Sequence, residues 1–253
     1  MFLTKKMQKS IDYIRNICYN YAECNVAEQH ILGGTTMRET VIKKVLEEKA
    51  IAIVRGASVE DCLKVADALY EGGIRFMEIT FNQKNPDSFK DTAAAIEGVS
   101  KKYEGKMYVG AGTVTTPELV EIAANAGALY IISPDTNPEV IKKTCELGLV
   151  SMPGALTPSE VLLAHRSGAD FVKLFPVGTL GAAYVKALCA PISHVKMLGV
   201  GGVNEDNAAD FIKAGVVGVG VGGNLANKKW IDAGEFHKIT ETAKKLVENI
   251  KNV

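Results

Sequence analysis

Residues 50–81 read AIAIVRGASVEDCLKVADALYEGGIRFMEITF: a short apolar run, a longer amphipathic stretch and a second short apolar run. The two apolar runs, Ala50–Arg55 and Ile74–Phe81, have the length and β-branched content of buried strands. The apolar spacing of Val59–Glu71 is that of a helix, and a Gly-Gly pair ends it, as is common at left-handed helix caps. This stretch therefore predicts a strand, a helix and a second strand parallel to the first.

The same alternation continues through the rest of the chain. Including the first unit, we predict eight strands, at Ala50–Arg55, Ile74–Phe81, Met107–Gly112, Ala128–Ser133, Leu149–Met152, Phe171–Phe175, His194–Val200 and Val216–Val221. Helical patterns accompany them, at Val59–Glu71, Pro117–Ala126, Pro138–Leu147, Pro158–Ser167, Ala182–Ala190, Glu205–Ala214 and Phe236–Ile250. Three of these helices begin with proline, which is favoured in the first helical turn. Eight such units without a change of composition predict an α/β protein, a single-domain (β/α)8 TIM barrel over residues 37–253.

An open doubly wound sheet is the alternative fold for this pattern. A dinucleotide-binding sheet of that kind carries GxGxxG at its first strand-to-helix turn, with an acidic residue about 20 positions further on. The first turn here reads Arg55-Gly56-Ala57-Ser58, which lacks the motif. The glycine-rich run over residues 218–223 lies at the last strand, so we interpret it as a barrel strand followed by a phosphate-binding type of loop.

Composition excludes several classes of protein. The 253 residues are 47 % hydrophobic and 23 % charged, which excludes a disordered or fibrous chain. Lysine plus arginine and aspartate plus glutamate both number 29, so the chain lacks the basic excess of a non-specific nucleic-acid binder. No apolar run approaches the ~20 residues of a membrane span, and MFLTKKMQKS lacks the apolar stretch of a signal peptide. We therefore predict a cytoplasmic protein that binds neither nucleic acid nor membrane.

The first 36 residues differ from the rest of the chain. They are polar, end in Gly33-Gly34-Thr35-Thr36 and show a weak helical pattern over residues 8–21. We predict that residues 1–36 form an N-terminal helical extension, separate from the barrel. A second helical pattern, over residues 40–46, leads into the first strand.

Two ionisable residues stand inside otherwise apolar predicted strands, Glu78 in FMEIT and Lys173 in FVKLFP. Side chains alternate along a strand, so Lys173 shares a face with Phe171 and Phe175. Burial on an inward face lowers the pKa of a lysine, and its free amine can then attack a carbonyl to form a Schiff base. Barrel active sites lie at the carboxyl ends of the strands, where Glu78 supplies a carboxylate for proton transfer. The pair suits reversible carbon–carbon cleavage.

Both residues also have a structural interpretation. A strand lysine often keeps its ammonium group in water, and Glu78 can form an ion pair with Lys173 or Arg55. Their joint placement at strand ends favours the catalytic interpretation over this alternative.

A metal site and disulfides are not predicted. The five cysteines include no CxxC pair and are scattered over Cys18, Cys24, Cys62, Cys145 and Cys189. The histidines do not cluster at strand ends; they are His30, His165, His194 and His237. Only Glu78 and Asp135 supply carboxylates at strand ends, which is too few to favour a metal.

At this point the chain resembles the Schiff-base (class I) 2-keto-3-deoxy-6-phosphogluconate aldolases, which also act as 4-hydroxy-2-oxoglutarate aldolases. The resemblance covers residues 37–252 and rests on the order and spacing of several short motifs. These are Ala52-Ile53-Val54-Arg55, Glu78-Ile79-Thr80, Gly110-Ala111-Gly112-Thr113-Val114, Ile132-Ser133-Pro134, Met152-Pro153-Gly154, Lys173-Leu174-Phe175-Pro176 and Gly201-Gly202-Val203.

The resemblance assigns roles to these motifs. It implies that Lys173 forms the Schiff base with pyruvate and that Glu78 is the general acid and base, acting partly through a bound water. It also implies that Thr113 and Pro134 line the pyruvate pocket and that Phe175 packs beside the lysine. Members of this family are commonly homotrimers of (β/α)8 barrels that use no metal or organic cofactor.

Three departures from the family pattern concern the substrate. Asn82 stands where many relatives have an arginine for the pyruvate carboxylate, and Arg55 can offer the same planar fork. Val200 replaces the usual threonine of the phosphate site, and Gly223 replaces the usual serine. Each lost hydrogen bond to a charged phosphate costs ~1.5–3 kcal/mol. Backbone N–H groups can still bind an anion there, from Gly201, Gly202, Gly222 and Gly223.

Together with the resemblance, these observations predict a metal-independent aldolase. It is expected to cleave a 2-keto-3-deoxy sugar acid, of the 6-phosphogluconate type or 4-hydroxy-2-oxoglutarate, to pyruvate and an aldehyde through a lysine Schiff base. Whether that acid is phosphorylated stays open at this stage. Two alternatives remain: another phosphate-handling barrel enzyme, such as an isomerase or a thiamine-phosphate type of synthase, and a non-catalytic barrel scaffold. Fold similarity alone does not decide between them.

Overall fold

The computed structural model describes residues 35–251 and 253. Over these residues the strands are β1 (Ala50–Val54), β2 (Phe76–Thr80), β3 (Tyr108–Gly112), β4 (Tyr130–Ile132), β5 (Val150–Met152), β6 (Gly154–Ala155), β7 (Val172–Leu174), β8 (Met197–Val200) and β9 (Gly218–Val221). The helices are α1 (Met37–Glu48), α2 (Val59–Glu71), α3 (Phe89–Lys102), α4 (Pro117–Asn125), α5 (Pro138–Glu146), α6 (Pro158–Arg166), α7 (Val177–Cys189), α8 (Ala208–Lys213), α9 (Lys228–Asp232) and α10 (Phe236–Lys251). The predicted N-terminal extension lies almost entirely outside the described residues.

The sheet closes into a barrel. All strand pairs are parallel, and the strand order is β5-β4-β3-β2-β1-β9-β8-β7-β6. The two outer strands, β5 and β6, are separated only by Pro153, so they are two parts of one broken strand. The first part pairs with β4 and the second with β7. Eight strand positions therefore surround the barrel, and the predicted (β/α)8 fold is confirmed.

Local sequence explains where the helices begin. The three predicted proline starts are confirmed in α4, α5 and α6, and each proline follows a residue whose side chain accepts a hydrogen bond from the first turn. These caps are Thr116, Asn137 and Thr157. Such caps satisfy backbone N–H groups that have no partner inside the helix.

Helix α1 closes the amino-terminal end of the barrel. Its Val41 and Val45 are buried against the interior layer that includes Phe76. On the outside of the barrel, the guanidinium of Arg38 donates hydrogen bonds to both carboxylate oxygens of Asp170, at 2.9 and 3.0 Å. This salt bridge holds α1 in place. Catalytic groups can therefore be reached by substrate only from the opposite end, where the strands have their carboxyl ends.

Several predicted boundaries differ from the structure. The strand predicted to begin at His194 begins at Met197, because the preceding residues form turns before the chain enters the sheet. Helix α7 begins at Val177 rather than Ala182, and Gly181 interrupts it with a φ of 77°. Helices α3 and α9 were not among the predicted elements. No helix of the described residues is long and apolar enough to cross a membrane.

Candidate active site

A cleft of about 680 Å³ opens at the carboxyl ends of the strands. It is lined by a mixture of backbone glycines, apolar side chains and a few cations: Ile53, Arg55, Gly56, Thr113, Pro134, Lys173, Phe175, Val200, Gly201, Gly202, Val203, Gly220, Gly222, Gly223, Asn224, Ala226 and Lys228. This is the end of the barrel at which such folds place their chemistry.

Lys173 projects from β7 into the bottom of this cleft. Its strand is buried, and only 7 % of the lysine is exposed. The Nζ atom lies 5.2 Å from the centre of the Phe175 ring. Burial lowers the pKa of Lys173, the positive charge of Arg55 lowers it further, and the negative charge of Glu78 opposes both. The fraction of unprotonated amine near neutral pH is therefore larger than for a lysine in water.

Glu78 lies beneath the cleft on β2 and is 1 % exposed. Its carboxylate occupies the space that a side chain on Gly112 would fill, because a Cβ there would overlap Oε1. Neither carboxylate oxygen has a hydrogen-bond partner among the described residues. Burial raises the pKa of this carboxyl, and the charges of Lys173 and Arg55 oppose the shift. Glu78 therefore does not form the hydrogen-bonded ion pair with Lys173 or Arg55 that the structural interpretation expected.

A small internal cavity connects the two groups. Glu78 and Lys173 both line it, and its volume is about 10 Å³, close to the room that one water molecule requires. The rest of its wall is apolar, including Ile132 and Leu198. The carboxylate therefore faces the amine across a gap of molecular size in a low-dielectric interior.

One side of the cleft is a rigid polar turn. Thr113 follows β3 with a φ of 57°, a conformation unusual for a residue with a side chain. The amide of Gln83 donates to its carbonyl at 2.7 Å. Thr113 borders the cleft together with Pro134 and the exposed Arg55.

The other side is the glycine rim, which we define as Gly201, Gly202, Gly222 and Gly223. Gly201 and Gly202 have φ values of 87° and 77°, so only glycine fits the loop without strain. The loop carbonyls accept bonds from outside the cleft, from the Gly178 N–H at 2.7 Å and from the Asn207 amide at 3.0 Å. The rim is thus a fixed backbone surface with open access.

The structure brings the predicted residues together. All eight residues expected to bind substrate border the cleft, as does Lys173: they are Arg55, Thr113, Pro134, Phe175, Gly201, Gly202, Gly222 and Gly223. Glu78 lies just below it. Sequence analysis did not identify Lys228, which borders the cleft from α9 and pairs with Asp232 at 2.6 Å. The indication available in the sequence was a lysine a few residues after Gly222-Gly223, the glycine pair that follows the last strand.

No group of three or more histidine, cysteine or acidic side chains is arranged to hold a metal ion within the described part of the chain. The prediction of a metal-independent reaction stays a prediction. Of the cysteines, Cys62, Cys145 and Cys189 are described, and all three are free thiols.

A buried amine and carboxylate under an open, glycine-lined cleft define a barrel enzyme that forms Schiff bases. Comparison with known proteins agrees: the family described as KDPG and KHG aldolase matches residues 41–242. The chain belongs to the KDPG and KHG aldolase family.

Relatives and solved structures of this family align over most of their length. A 2-dehydro-3-deoxy-6-phosphogalactonate aldolase of Escherichia coli is 34 % identical over 69 % of this chain and 83 % of its own. A 2-dehydro-3-deoxy-phosphogluconate aldolase of Treponema pallidum is 30 % identical over 83 % of this chain and 97 % of its own. The KDPG aldolase of Legionella pneumophila, solved with pyruvate as a covalent carbinolamine intermediate, is 27 % identical with a TM-score of 0.72, over 84 % and 98 % of the two chains.

These findings confirm the predicted family, fold and class of reaction. The protein is a carbon–carbon lyase that cleaves a 2-keto-3-deoxy sugar acid and acts on small molecules such as pyruvate. The alternative interpretations, another phosphate-handling barrel or a non-catalytic scaffold, are not supported. A thiamine phosphate pyrophosphorylase of Pyrococcus furiosus shares only the fold, at 17 % identity and a TM-score of 0.63.

Proposed function

We propose that this enzyme releases pyruvate from a 6-phosphorylated 2-keto-3-deoxy sugar acid through an imine on Lys173, with Glu78 as the acid and base. One observation supports the proposal: the two groups are buried and line a shared cavity beneath a large cleft at the carboxyl ends of the strands. Burial favours the neutral amine of Lys173 and raises the proton affinity of the Glu78 carboxylate.

The first step is imine formation. The free amine of Lys173 adds to the C2 carbonyl of the keto acid, a carbinolamine forms, and loss of water gives the iminium ion. Burial and the nearby charge of Arg55 favour the neutral amine that attacks.

Carbon–carbon cleavage follows from the position of Glu78. The carboxylate accepts the proton of the C4 hydroxyl, the C3–C4 bond breaks, and its electron pair moves into the iminium to give an enamine. The aldehyde leaves, and Glu78 returns the proton to C3 of the enamine. Water then hydrolyses the iminium to release pyruvate. A raised carboxyl pKa suits a group that must both take and give a proton near neutral pH.

Arg55, Thr113 and Phe175 are suited to the pyruvate end of the substrate. The guanidinium of Arg55 offers two parallel donors to a carboxylate, and Thr113 supplies a hydroxyl beside it. Phe175 borders the reacting amine and shields it on one side. With Pro134, which lines the same part of the proposed pocket, we assign Arg55, Thr113 and Phe175 to pyruvate binding.

The glycine rim and Lys228 are suited to an anion at the far end of the substrate. Exposed backbone N–H groups bind phosphate oxygens, and the Lys228 ammonium adds a positive charge on the same side. They compensate for the hydroxyls that Val200 and Gly223 cannot supply. Among the relatives described above, the one named for the 6-phosphogalactonate substrate has the higher sequence identity, so we propose the galacto configuration.

A four-substrate comparison tests this proposal. The 2-keto-3-deoxy acids of the galacto and gluco series are supplied with and without the 6-phosphate, and pyruvate release is measured for each. We expect the highest kcat/KM for the phosphorylated galacto acid. Equal rates with and without phosphate would contradict the phosphate assignment, and a preference for the gluco acid would contradict the configuration.

We further propose the assembly and location predicted from the sequence, a cytoplasmic homotrimer without a cofactor, with residues 37–253 as the aldolase domain. Support comes from large apolar side chains exposed on the helical surface, such as Leu163 and Leu180, which suit a subunit interface. Light scattering of the purified chain measures the assembly directly. A monomer with full activity would contradict the trimer.

A further inference from the structure

The barrel interior contains a buried phenol that the mechanism above does not use. Tyr130 lies on β4 and is 0 % exposed. Its hydroxyl has no hydrogen-bond partner among the described residues, and the same is true of the Glu78 oxygens and the Thr80 hydroxyl. Buried polar atoms without partners are rare in folded proteins, so each requires an explanation. Three of these four atoms belong to Glu78 and Tyr130, which the strand register relates to each other.

Strand register places Tyr130 next to Glu78. Glu78 of β2 lies opposite Gly110 of β3, and the pairing of Ala111 with Ile131 sets Tyr130 on the other side of the same glycine. Paired residues of parallel strands point to the same face of a sheet. The carboxylate and the phenol therefore flank a position that has no side chain.

Two glycines of β3 leave room for the two groups. A Cβ on Gly110 would overlap the Tyr130 ring, and a Cβ on Gly112 would overlap the Glu78 carboxylate. Gly110 and Gly112 are successive inward positions of β3, which are about 7 Å apart along a strand. The negative charge of Glu78 also raises the pKa of the Tyr130 hydroxyl, in addition to the larger effect of burial. The Tyr130 ring and the Glu78 carboxylate are thus neighbours along the inner face of β3.

Packing alone does not explain the hydroxyl. The Tyr130 ring contacts Phe76, with ring centres 5.7 Å apart, and a phenylalanine would fill the same space. Tyr130 does not border the cleft, so its hydroxyl cannot reach the substrate directly. Its polar neighbour in the interior is Glu78, which does act on the substrate in the proposed mechanism.

We propose that Tyr130 is a positioning residue for Glu78: in the substrate-bound enzyme its hydroxyl donates a hydrogen bond to the carboxylate, holding it in place and favouring its ionised form. Catalytic hydrogen bonds are often incomplete in ligand-free enzymes and tighten when substrate binds. This inference rests on the proposed role of Glu78.

The test uses the exchange of pyruvate methyl protons for deuterium, followed by NMR as a function of pH. This half-reaction requires the Lys173 imine and the Glu78 base but no aldehyde, so it is independent of the identity of the sugar acid. The charged or titratable groups facing Glu78 are Lys173 of β7, Arg55 after β1 and Tyr130 of β4. Exchange in Glu78→Gln and Lys173→Ala tests the proposed function itself, and both variants are expected to lose it.

Tyr130→Phe is expected to move the acid limb of the exchange profile to higher pH. The hydroxyl stabilises the ionised carboxylate, so its removal raises the Glu78 pKa, by about one unit for a hydrogen bond to a charged group. Exchange on the acid limb then falls about tenfold. Borohydride trapping of pyruvate at Lys173 and the KM for pyruvate are expected to match the wild type.

Tyr108→Phe is the matched control. The Tyr108 ring, on β3, also packs against Phe76, with ring centres 4.8 Å apart. Unlike Tyr130, Tyr108 lies near Lys44 of α1, at the closed end of the barrel. Its exchange profile is expected to be unchanged. Borohydride trapping counts the folded active sites, so exchange is expressed per trapped site. A Tyr130→Phe profile that superimposes on the wild type would overturn the proposal, as would a loss of exchange that only parallels a loss of trapping.

Discussion

Glycines line both the barrel interior and the rim of the cleft, but they do different things in the two regions. Inside, Gly112 lacks a side chain so that the Glu78 carboxylate can occupy its place. At the rim, Gly202 adopts a φ of 77°, which gives the backbone its shape, and nothing lies within 4 Å of a Cβ built on Gly223. The interior glycines leave room for a buried catalytic side chain, whereas the rim glycines present backbone to the cleft.

This difference separates the reaction from the choice of substrate. In the proposed mechanism the buried pair carries out the C–C cleavage, and its burial shifts the pKa of both the amine and the carboxyl. The rim and Lys228 border the cleft, and in the proposed function they bind only the distant end of the substrate. Interior changes should therefore affect kcat for every substrate, and rim changes should affect KM for some substrates only.

Gly112→Ala is the substitution expected to disturb the interior most. The new Cβ overlaps Oε1 of Glu78, so the carboxylate must move away from the reacting atoms. A displacement of about 1 Å in a catalytic group costs about 10²-fold in kcat. Steady-state kinetics with both phosphorylated and unphosphorylated acids measure the effect, which should be equal for the two.

Gly98→Ala is its control. Gly98 lies in α3, its nearest neighbour for a built Cβ is 3.9 Å away, and alanine is the better helix former. We expect unchanged kcat and equal or slightly higher stability. Wild-type kcat in Gly112→Ala would show that the position of Glu78 does not limit the reaction.

Lys228→Gln addresses the rim and has a smaller expected effect. Lys228 is exposed and already pairs with Asp232, so solvent weakens any contact with substrate. We expect KM for the phosphorylated acid to rise about fivefold. For the unphosphorylated acid, KM should not change, and kcat should be preserved with both.

Lys229→Gln removes the same charge from the neighbouring position, which does not border the cleft. Its kinetics should match those of the wild type with both acids. An equal rise of KM for both acids in Lys228→Gln would mean that this lysine does not recognise the phosphate.

The smallest expected effect is a pH shift in Glu78→Gln. The negative charge of Glu78 raises the Lys173 pKa, against the larger lowering by burial. Its removal lowers that pKa further, so the midpoint for borohydride trapping of pyruvate should move to lower pH, by less than about one unit. The exposed Glu60, which pairs with Lys64, provides a control in Glu60→Gln. A shift to higher pH in Glu78→Gln would reverse the assigned electrostatics.

The fold was predictable from sequence because strand and helix patterns alternate along the chain and their boundaries are marked by characteristic residues. Proline starts and glycine ends located most elements, and an inward lysine in an apolar strand indicated the chemistry. Strand edges were less well predicted: the residues from His194 onward are apolar enough for a strand, but turns occupy them up to Met197.

The parts of the site that could not be predicted depend on contacts between distant residues. Lys228 faces the cleft only because a loop carries it back over the barrel end. Tyr130 resembles any aromatic core residue in sequence, and its relation to Glu78 follows from register across three strands. The extension proposed for residues 1–36 lies almost wholly outside the described residues.

The most direct test of the account is mass spectrometry after incubation with pyruvate and sodium borohydride, comparing the wild type with Lys173→Ala. We predict one reduced pyruvate adduct in the wild type, mapped to Lys173, and none in the variant, whose turnover should fall about 10⁴-fold or more. A wild-type protein that is folded but forms no adduct, or an adduct that maps to another lysine, would contradict the central claim that the buried amine of β7 is the nucleophile.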